Sequence, residues 1–321
     1  MARVAVAALT LAFVVWRLGT GPFVDGIRTI DARVLLAALA IGVVTTVCCA
    51  WRWRIVADGL GVDLTLPAAI AAYYRSQFLN VVLPGGILGD VHRGVSHGRD
   101  ASDVGRGLRA VGWERSAGQL IQILLSAVVL LVLPSPVRSA MPLVAFGTVL
   151  VVGVVLVVSR ARPAGGVSRW ARVRRAAAGD IRHGLLARGA WPGIVVASGI
   201  AVAGYAATFL IAARTTGTPA SAITMLPLAM LVLLAMVLPN IGGWGPREGI
   251  TAWLFAAAGL GAAQGVTTAV VFGVMTFVAT LPGAVVLVAA WLMRDKDAPP
   301  PEHARPRRMR VAIRSDGATD V

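Results

Sequence analysis

From Gly249 to Met293 the chain runs 45 residues without an Asp, Glu, Lys or Arg. A helix needs roughly 20 largely apolar residues, at 1.5 Å each, to cross about 30 Å of hydrocarbon, so a stretch of this length suits two passages through a bilayer. The glycines from Gly259 through Gly261 to Gly265 mark the break between them. Other uncharged stretches are Val34–Trp51 with 18 residues, Ser116–Val137 with 22, Ser139–Ser159 with 21, Gly189–Ala213 with 25 and Thr215–Pro246 with 32. Val4–Trp16 has only 13, yet Arg3 and Arg17 flank it as snorkelling anchors and no small-x-small cleavage site follows before Pro22. It is read as a retained first helix. The expected fold is all-α, a polytopic integral membrane helical bundle with eight crossings near 4–20, 32–51, 113–133, 139–159, 191–213, 220–239, 247–263 and 266–293.

Composition agrees with a bilayer as solvent: 57% of residues are hydrophobic and 14% charged. The 30 basic residues against 15 acidic ones give +15, a balance that alone also suits nucleic acid. Placement separates the two. Eight arginines lie in Arg160–Arg188, and Arg294, Lys296, Arg305, Arg307, Arg308, Arg310 and Arg314 follow the last crossing. Basic loops of this kind stay cytoplasmic, and an even number of crossings then puts both termini inside a cell (inner) membrane. A nucleic-acid partner is not needed. Trp170, Val173, Ala177 and Ile181 also fit one face of a helix lying on an anionic leaflet, although an ordinary positive-inside loop explains the same arginines. Residues 1–294 are taken as one transmembrane domain and 295–321, rich in proline and charge, as a disordered basic cytoplasmic tail with no room for an enzyme domain. Cys48 and Cys49 are adjacent in an apolar stretch and offer no disulfide scaffold.

Two places interrupt the hydrophobic pattern with residues that a lipid-facing helix avoids. The first runs from Gln77 through Asn80, Leu83-Pro84-Gly85-Gly86 and Gly89-Asp90 to Arg93; the second is Leu238-Pro239-Asn240-Ile241-Gly242-Gly243-Trp244-Gly245-Pro246-Arg247-Glu248-Gly249. Irregular backbone at membrane depth survives only where protein covers it or a wet cavity meets it. Glycines let N–H groups turn toward a ligand, half-helix N-termini carry partial positive charge, and an adjacent arginine adds a fixed cation. Leu83 and Leu238 stand 155 residues apart, while Arg93 and Arg247 differ by 154, so an inverted repeat with re-entrant segments and two unrelated surface loops both remain open. Charges at the bilayer centre cost roughly 2.5–3.5 kcal/mol each, so these must be paired or functional. The expected substrate-binding set is Asn80, Gly85, Gly86, Gly89, Asp90, Arg93, Glu114, Arg115, Asn240, Gly242, Gly243, Arg247 and Glu248. An interfacial ion pair is the competing account of Glu114-Arg115. His92 and His97 lack the pattern of a metal site, no phosphate loop or dinucleotide fingerprint is present, and no cofactor is expected.

These motifs resemble the flippase-like, lysylphosphatidylglycerol synthase transmembrane-region family. The resemblance rests on Asn80-Val81-Val82-Leu83-Pro84-Gly85 running into Gly89-Asp90-Val91-His92-Arg93, on Glu114-Arg115 with Gly118, and on Gly242-Gly243-Trp244-Gly245-Pro246-Arg247-Glu248-Gly249 with the later Leu281-Pro282-Gly283. It covers roughly residues 5–293. Leu88-Gly89-Asp90 stands where the family often has Gly-Gly-Asp, and Trp244 and Pro246 stand where it has small residues, which implies a changed pocket shape. The resemblance implies a multi-pass bacterial inner-membrane protein that moves an aminoacylated or glycosylated lipid between leaflets, without the synthase domain of fused relatives. A lipid flippase is therefore the leading expectation, with Arg93, Arg247 and Asn80 on an anionic head group. The alternative is a non-transporting partner that anchors or presents lipid to a separate glycosyltransferase or synthase. An embedded enzyme using Asp90 or Glu248 is disfavoured, because both have basic neighbours and neither has a nucleophile or metal set.

Overall fold

The computed structural model describes residues 15–16, 18–83, 86–135, 153, 157, 176–187, 189–236 and 245–296, the last three without their side chains. Among them every regular element is helical. The order is α1 (Gly21–Arg28), α2 (Ala32–Gly59), α3 (Leu66–Val82), α4 (Leu88–Asp100), α5 (Val104–Val132), a π-helical turn (Ile181–Leu185), α6 (Trp191–Thr215), α7 (Ala222–Ala235), α8 (Pro246–Ala257), α9 (Ala262–Thr280) and α10 (Pro282–Lys296). Local chemistry sets the boundaries. Asp31 caps α2 by accepting from the Val34 N–H at 2.9 Å, and Asp103 caps α5 by accepting from the Arg106 N–H at 2.8 Å. Leu83 turns extended, as the residue before a proline must, and α3 stops there. Gly245 enters α8 at φ +119°, and the Glu248 carboxylate reaches back to its N–H at 2.7 Å, which closes the first turn.

Among the described residues four stretches are long and apolar enough to cross a membrane: Ala32–Gly59, Val104–Val132, Trp191–Thr215 and the α9–α10 segment Ala262–Met293. The chain is thus a multi-pass membrane protein. The expected crossings at 4–20 and 139–159 fall mostly outside the described residues, and α7, on the expected crossing 220–239, has 14 residues. One expected crossing is corrected. The segment 247–263 holds the 12-residue α8, about 18 Å long, which stops before Gly259 and Gly261, both at positive φ. Two crossings are longer than expected, because α2 continues through Arg52 and α5 begins before Glu114. Charge does not end either helix, since these side chains are paired inside the protein.

The largest apolar core lies where α6, α7, α8 and α9 meet. Phe209 stands edge-on to Phe255 and Phe272, with centroids 6.4 and 5.6 Å apart, beside Leu228, Leu233 and Met275. A second cluster gathers Trp53, Ala69, Tyr73, Val111 and Ala201 from α2, α3, α5 and α6. Leu36, Val128, Val132, Val196, Trp253 and Val285 stay exposed, as on a surface whose solvent is lipid. Between α2 and α9 the backbones approach closely, and a Cβ added at Gly42 would stand 2.6 Å from the Ala279 Cβ. Gly42→Leu is expected to cost about 1–3 kcal/mol through this crossing, read as a lowered thermal midpoint in detergent; an unchanged midpoint would show that the helices separate freely there.

Candidate functional site

Both interruptions reach one cavity. It has a volume of about 280 Å³; α3 and the segment after it supply Asn80, Val81 and Gly86, and the segment joining α7 to α8, with α8 itself, supplies Met236 and Arg247. Arg52 from α2, Arg115 from α5 and Tyr205 from α6 complete its polar wall. A second cavity of about 560 Å³ shares Gly86, Arg115, Gln119, Gln122, Tyr205 and Met236 with it. Its remaining wall is mainly apolar, with Ile87, Val91, Leu108, Val111 and Leu233.

Polar residues recur on the helices that surround the first cavity at steps of four and three. Thr45, Cys49 and Arg52 follow this spacing on α2, Tyr73, Gln77 and Asn80 on α3, and Arg115, Gln119 and Gln122 on α5. Such steps put side chains on one helical face. Three helices therefore turn a polar stripe inward to the same space.

Behind this wall lies an ion-pair network. Glu114, fully buried, accepts from Arg52 Nε at 3.0 Å and from Arg52 Nη2 through the same oxygen, from Tyr73 OH at 3.2 Å, and from Arg93 Nη2 at 3.1 Å through the other. Arg93 Nη2 also donates to Asp90 at 2.8 Å, and Asp90 accepts further from Ser76 at 3.0 Å, Asn80 at 2.9 Å and Arg115. The Arg93 guanidinium is held between two rings, with Cζ 4.4 Å from the Trp53 centroid and 4.3 Å from that of Tyr73. Gly89 is tight against the Ser76 carbonyl and donates its N–H to Asn80 Oδ1 at 2.8 Å, which locks α4 onto α3.

The second interruption has its own buried pair. Arg247 donates to Glu248 through Nε at 2.9 Å and through Nη2, and both side chains are almost fully enclosed. Two glycines make room for cavity-lining arginines. A Cβ at Gly118 would stand 2.6 Å from Arg52 Nη1, and one at Gly273 would overlap the Arg247 guanidinium.

Of the residues expected from sequence, Asn80, Gly86, Arg115 and Arg247 line the first cavity, and Asp90 lines the second. Arg93, Glu114 and Glu248 lie behind the wall as buried partners, and Gly89 is a packing contact. Gly85, Asn240, Gly242 and Gly243 fall outside the described residues. Sequence reasoning passed over Arg52, Gln119, Gln122, Ser198 and Tyr205. The step-of-four-and-three pattern from Arg115 was the signal that finds Gln119 and Gln122. Arg52 had no motif around it.

None of the curated proteins compared with the chain matches it. The family model described as the lysylphosphatidylglycerol synthase transmembrane region matches residues 1–283, and what it covers is a membrane region and no catalytic domain. With that match over most of its length, this multi-pass helical chain belongs to the lysylphosphatidylglycerol synthase transmembrane-region family.

Proposed function

We propose that the chain is a lipid flippase of the bacterial inner membrane, with both termini cytoplasmic, and that the cavity between its two interruptions receives an anionic phospholipid head group. The observation that carries this reading is the convergence of Arg52, Arg115 and Arg247 on one cavity reached by both broken segments. Broken helices meeting at a polar cavity inside an apolar bundle are what a transported polar group requires, since backbone there exposes donors that lipid cannot satisfy. The second cavity extends this space along Ile87, Val91, Leu108 and Leu233, apolar side chains beside which acyl chains remain in contact with lipid while the head group is inside.

In this reading the crossings form two related halves, with α3–α4 and α7–α8 as the broken pairs. Rocking of one half against the other exposes the cavity to each leaflet in turn. A leaflet-resolved assay in proteoliposomes with tail-labelled fluorescent phosphatidylglycerol tests it. The wild type is expected to equilibrate the label at least tenfold faster than Arg115→Gln/Arg247→Gln/Glu248→Gln. Equal rates in the two, or no acceleration over protein-free vesicles, would count against transport and leave lipid presentation to a partner enzyme as the better account.

A further inference from the structure

The charge balance and the unused hydrogen-bonding groups of the cavity say more about the head group than that it is anionic. Four arginines belong to the cavity and its supporting network, Arg52, Arg93, Arg115 and Arg247, against three carboxylates, Asp90, Glu114 and Glu248. Among the described residues this leaves one excess positive charge, the match for a single phosphodiester. Each of the three carboxylates already has an arginine partner, and Glu114 and Glu248 are fully enclosed. Glu114 is held by Arg52, Arg93 and Tyr73, Asp90 by Arg93, Arg115, Ser76 and Asn80, and Glu248 by Arg247 and the Gly245 N–H. An ammonium group brought into this space meets arginines at the wall and carboxylates already engaged. Its desolvation is then uncompensated.

The wall instead presents neutral groups with spare capacity. Gln119 and Gln122 line both cavities without a hydrogen bond to a described residue, and Gln119 Nε2 is a buried donor with no partner. Gln77 uses only its Oε1, accepting from Thr46 at 3.1 Å, so its amide N–H₂ is open. Side-chain amides both donate and accept, which is the pairing that vicinal hydroxyls need and that a bare phosphate or an ammonium does not. A site built to hydrogen-bond hydroxyls rejects analogues lacking them, because its own polar groups are then left buried and unpaired.

We infer that the cavity selects a lipid whose phosphodiester carries a neutral polyol, such as an inositol, glycerol or sugar, and discriminates against ammonium-bearing head groups, aminoacylated ones included. Arg52, Arg115 and Arg247 hold the phosphate end, and Gln77, Gln119 and Gln122 determine specificity for the hydroxyls. The inference rests on the proposed head-group site but does not require that the lipid be moved.

The test is a binding series on the full chain in detergent, using dihexanoyl phosphatidylinositol, phosphatidic acid and phosphatidylethanolamine and the deacylated glycerophosphoinositol, read by intrinsic tryptophan fluorescence. Phosphatidylinositol is expected to bind at least tenfold tighter than phosphatidylethanolamine. It should also bind at least tenfold tighter than glycerophosphoinositol, which separates a lipid site from one for a soluble phosphate ester. Gln119→Leu/Gln122→Leu is expected to weaken phosphatidylinositol about tenfold and phosphatidic acid less than threefold. Phosphatidylethanolamine binding as tightly as phosphatidylinositol, or a variant that weakens phosphatidic acid equally, overturns the inference. Transport without head-group preference would remove this inference and leave the flippase reading standing; preference without transport would do the reverse.

Discussion

Glu114→Gln is expected to lose about 3–5 kcal/mol of stability, among the largest effects of any single substitution in the described residues, because it leaves the Arg52 and Arg93 guanidiniums buried against a neutral amide. Both arginines are enclosed, and each relies on Glu114 as a charged partner; Arg93 retains Asp90, whereas Arg52 keeps only Ser198 Oγ and the weak Cys49 Sγ acceptor. A control lies on the same helix as Arg52. Arg54 and Asp58 pair at 3.5 Å with both side chains nearly half exposed, so Asp58→Asn is expected to cost less than about 1 kcal/mol. Midpoints of unfolding in detergent for the two variants measure the contrast. Equal shifts would mean that water reaches Glu114 and that the network is not a dry cluster.

The second large effect separates a cation's structural role from its ligand role. Arg247→Ala strands Glu248, which has no exposure and retains only the Gly245 N–H, and is expected to cost about 3–5 kcal/mol. Replacing both members of a buried pair is milder than breaking it, so Arg247→Gln/Glu248→Gln should recover at least half of that loss while still removing the cation from the cavity. If the double variant is as unstable as Arg247→Ala, the damage comes from packing against Gly273 rather than from the orphaned carboxylate. The comparison matters for function, because only a folded variant reports whether the positive charge at 247 holds a head group.

Much of this architecture was legible in the sequence. Hydropathy located α2, α5, α6 and the α9–α10 segment, and Leu83-Pro84 with the following glycines located the break between α3 and α4. What misled was the treatment of charge as a boundary. Arg52 and Arg115 lie inside long helices because Glu114 and Asp90, distant in sequence from Arg52 and from each other, neutralise them there. Pairing across elements is invisible to a window moving along the chain. The opposite error occurred at 247–263, where apolar composition suggested a crossing and the glycines at 259 and 261 stop the helix after 12 residues, short of the roughly 20 that a crossing needs. For the site, the motifs pointed alike to Asn80, Arg115 and Arg247, which line the cavity, and to Arg93, whose guanidinium is enclosed between Trp53 and Tyr73, while Gln119 and Gln122, on one face of α5 with Arg115, belong to no motif. Motifs mark where packing is demanding, and only the fold distinguishes the residue that faces the cavity from the one that holds it in place.

If the cavity shared by the two interruptions holds a lipid phosphate, the purified protein should retain that lipid. Mass spectrometry of extracts from the wild type, from Arg115→Gln/Arg247→Gln/Glu248→Gln and from Arg109→Gln, which touches only the peripheral Asp180 pair, is the comparison. An anionic phospholipid is expected to be retained by the wild type and by Arg109→Gln and depleted at least tenfold in the triple variant, with all three proteins folded by their thermal midpoints. Equal retention of the same lipid in all three would contradict that expectation.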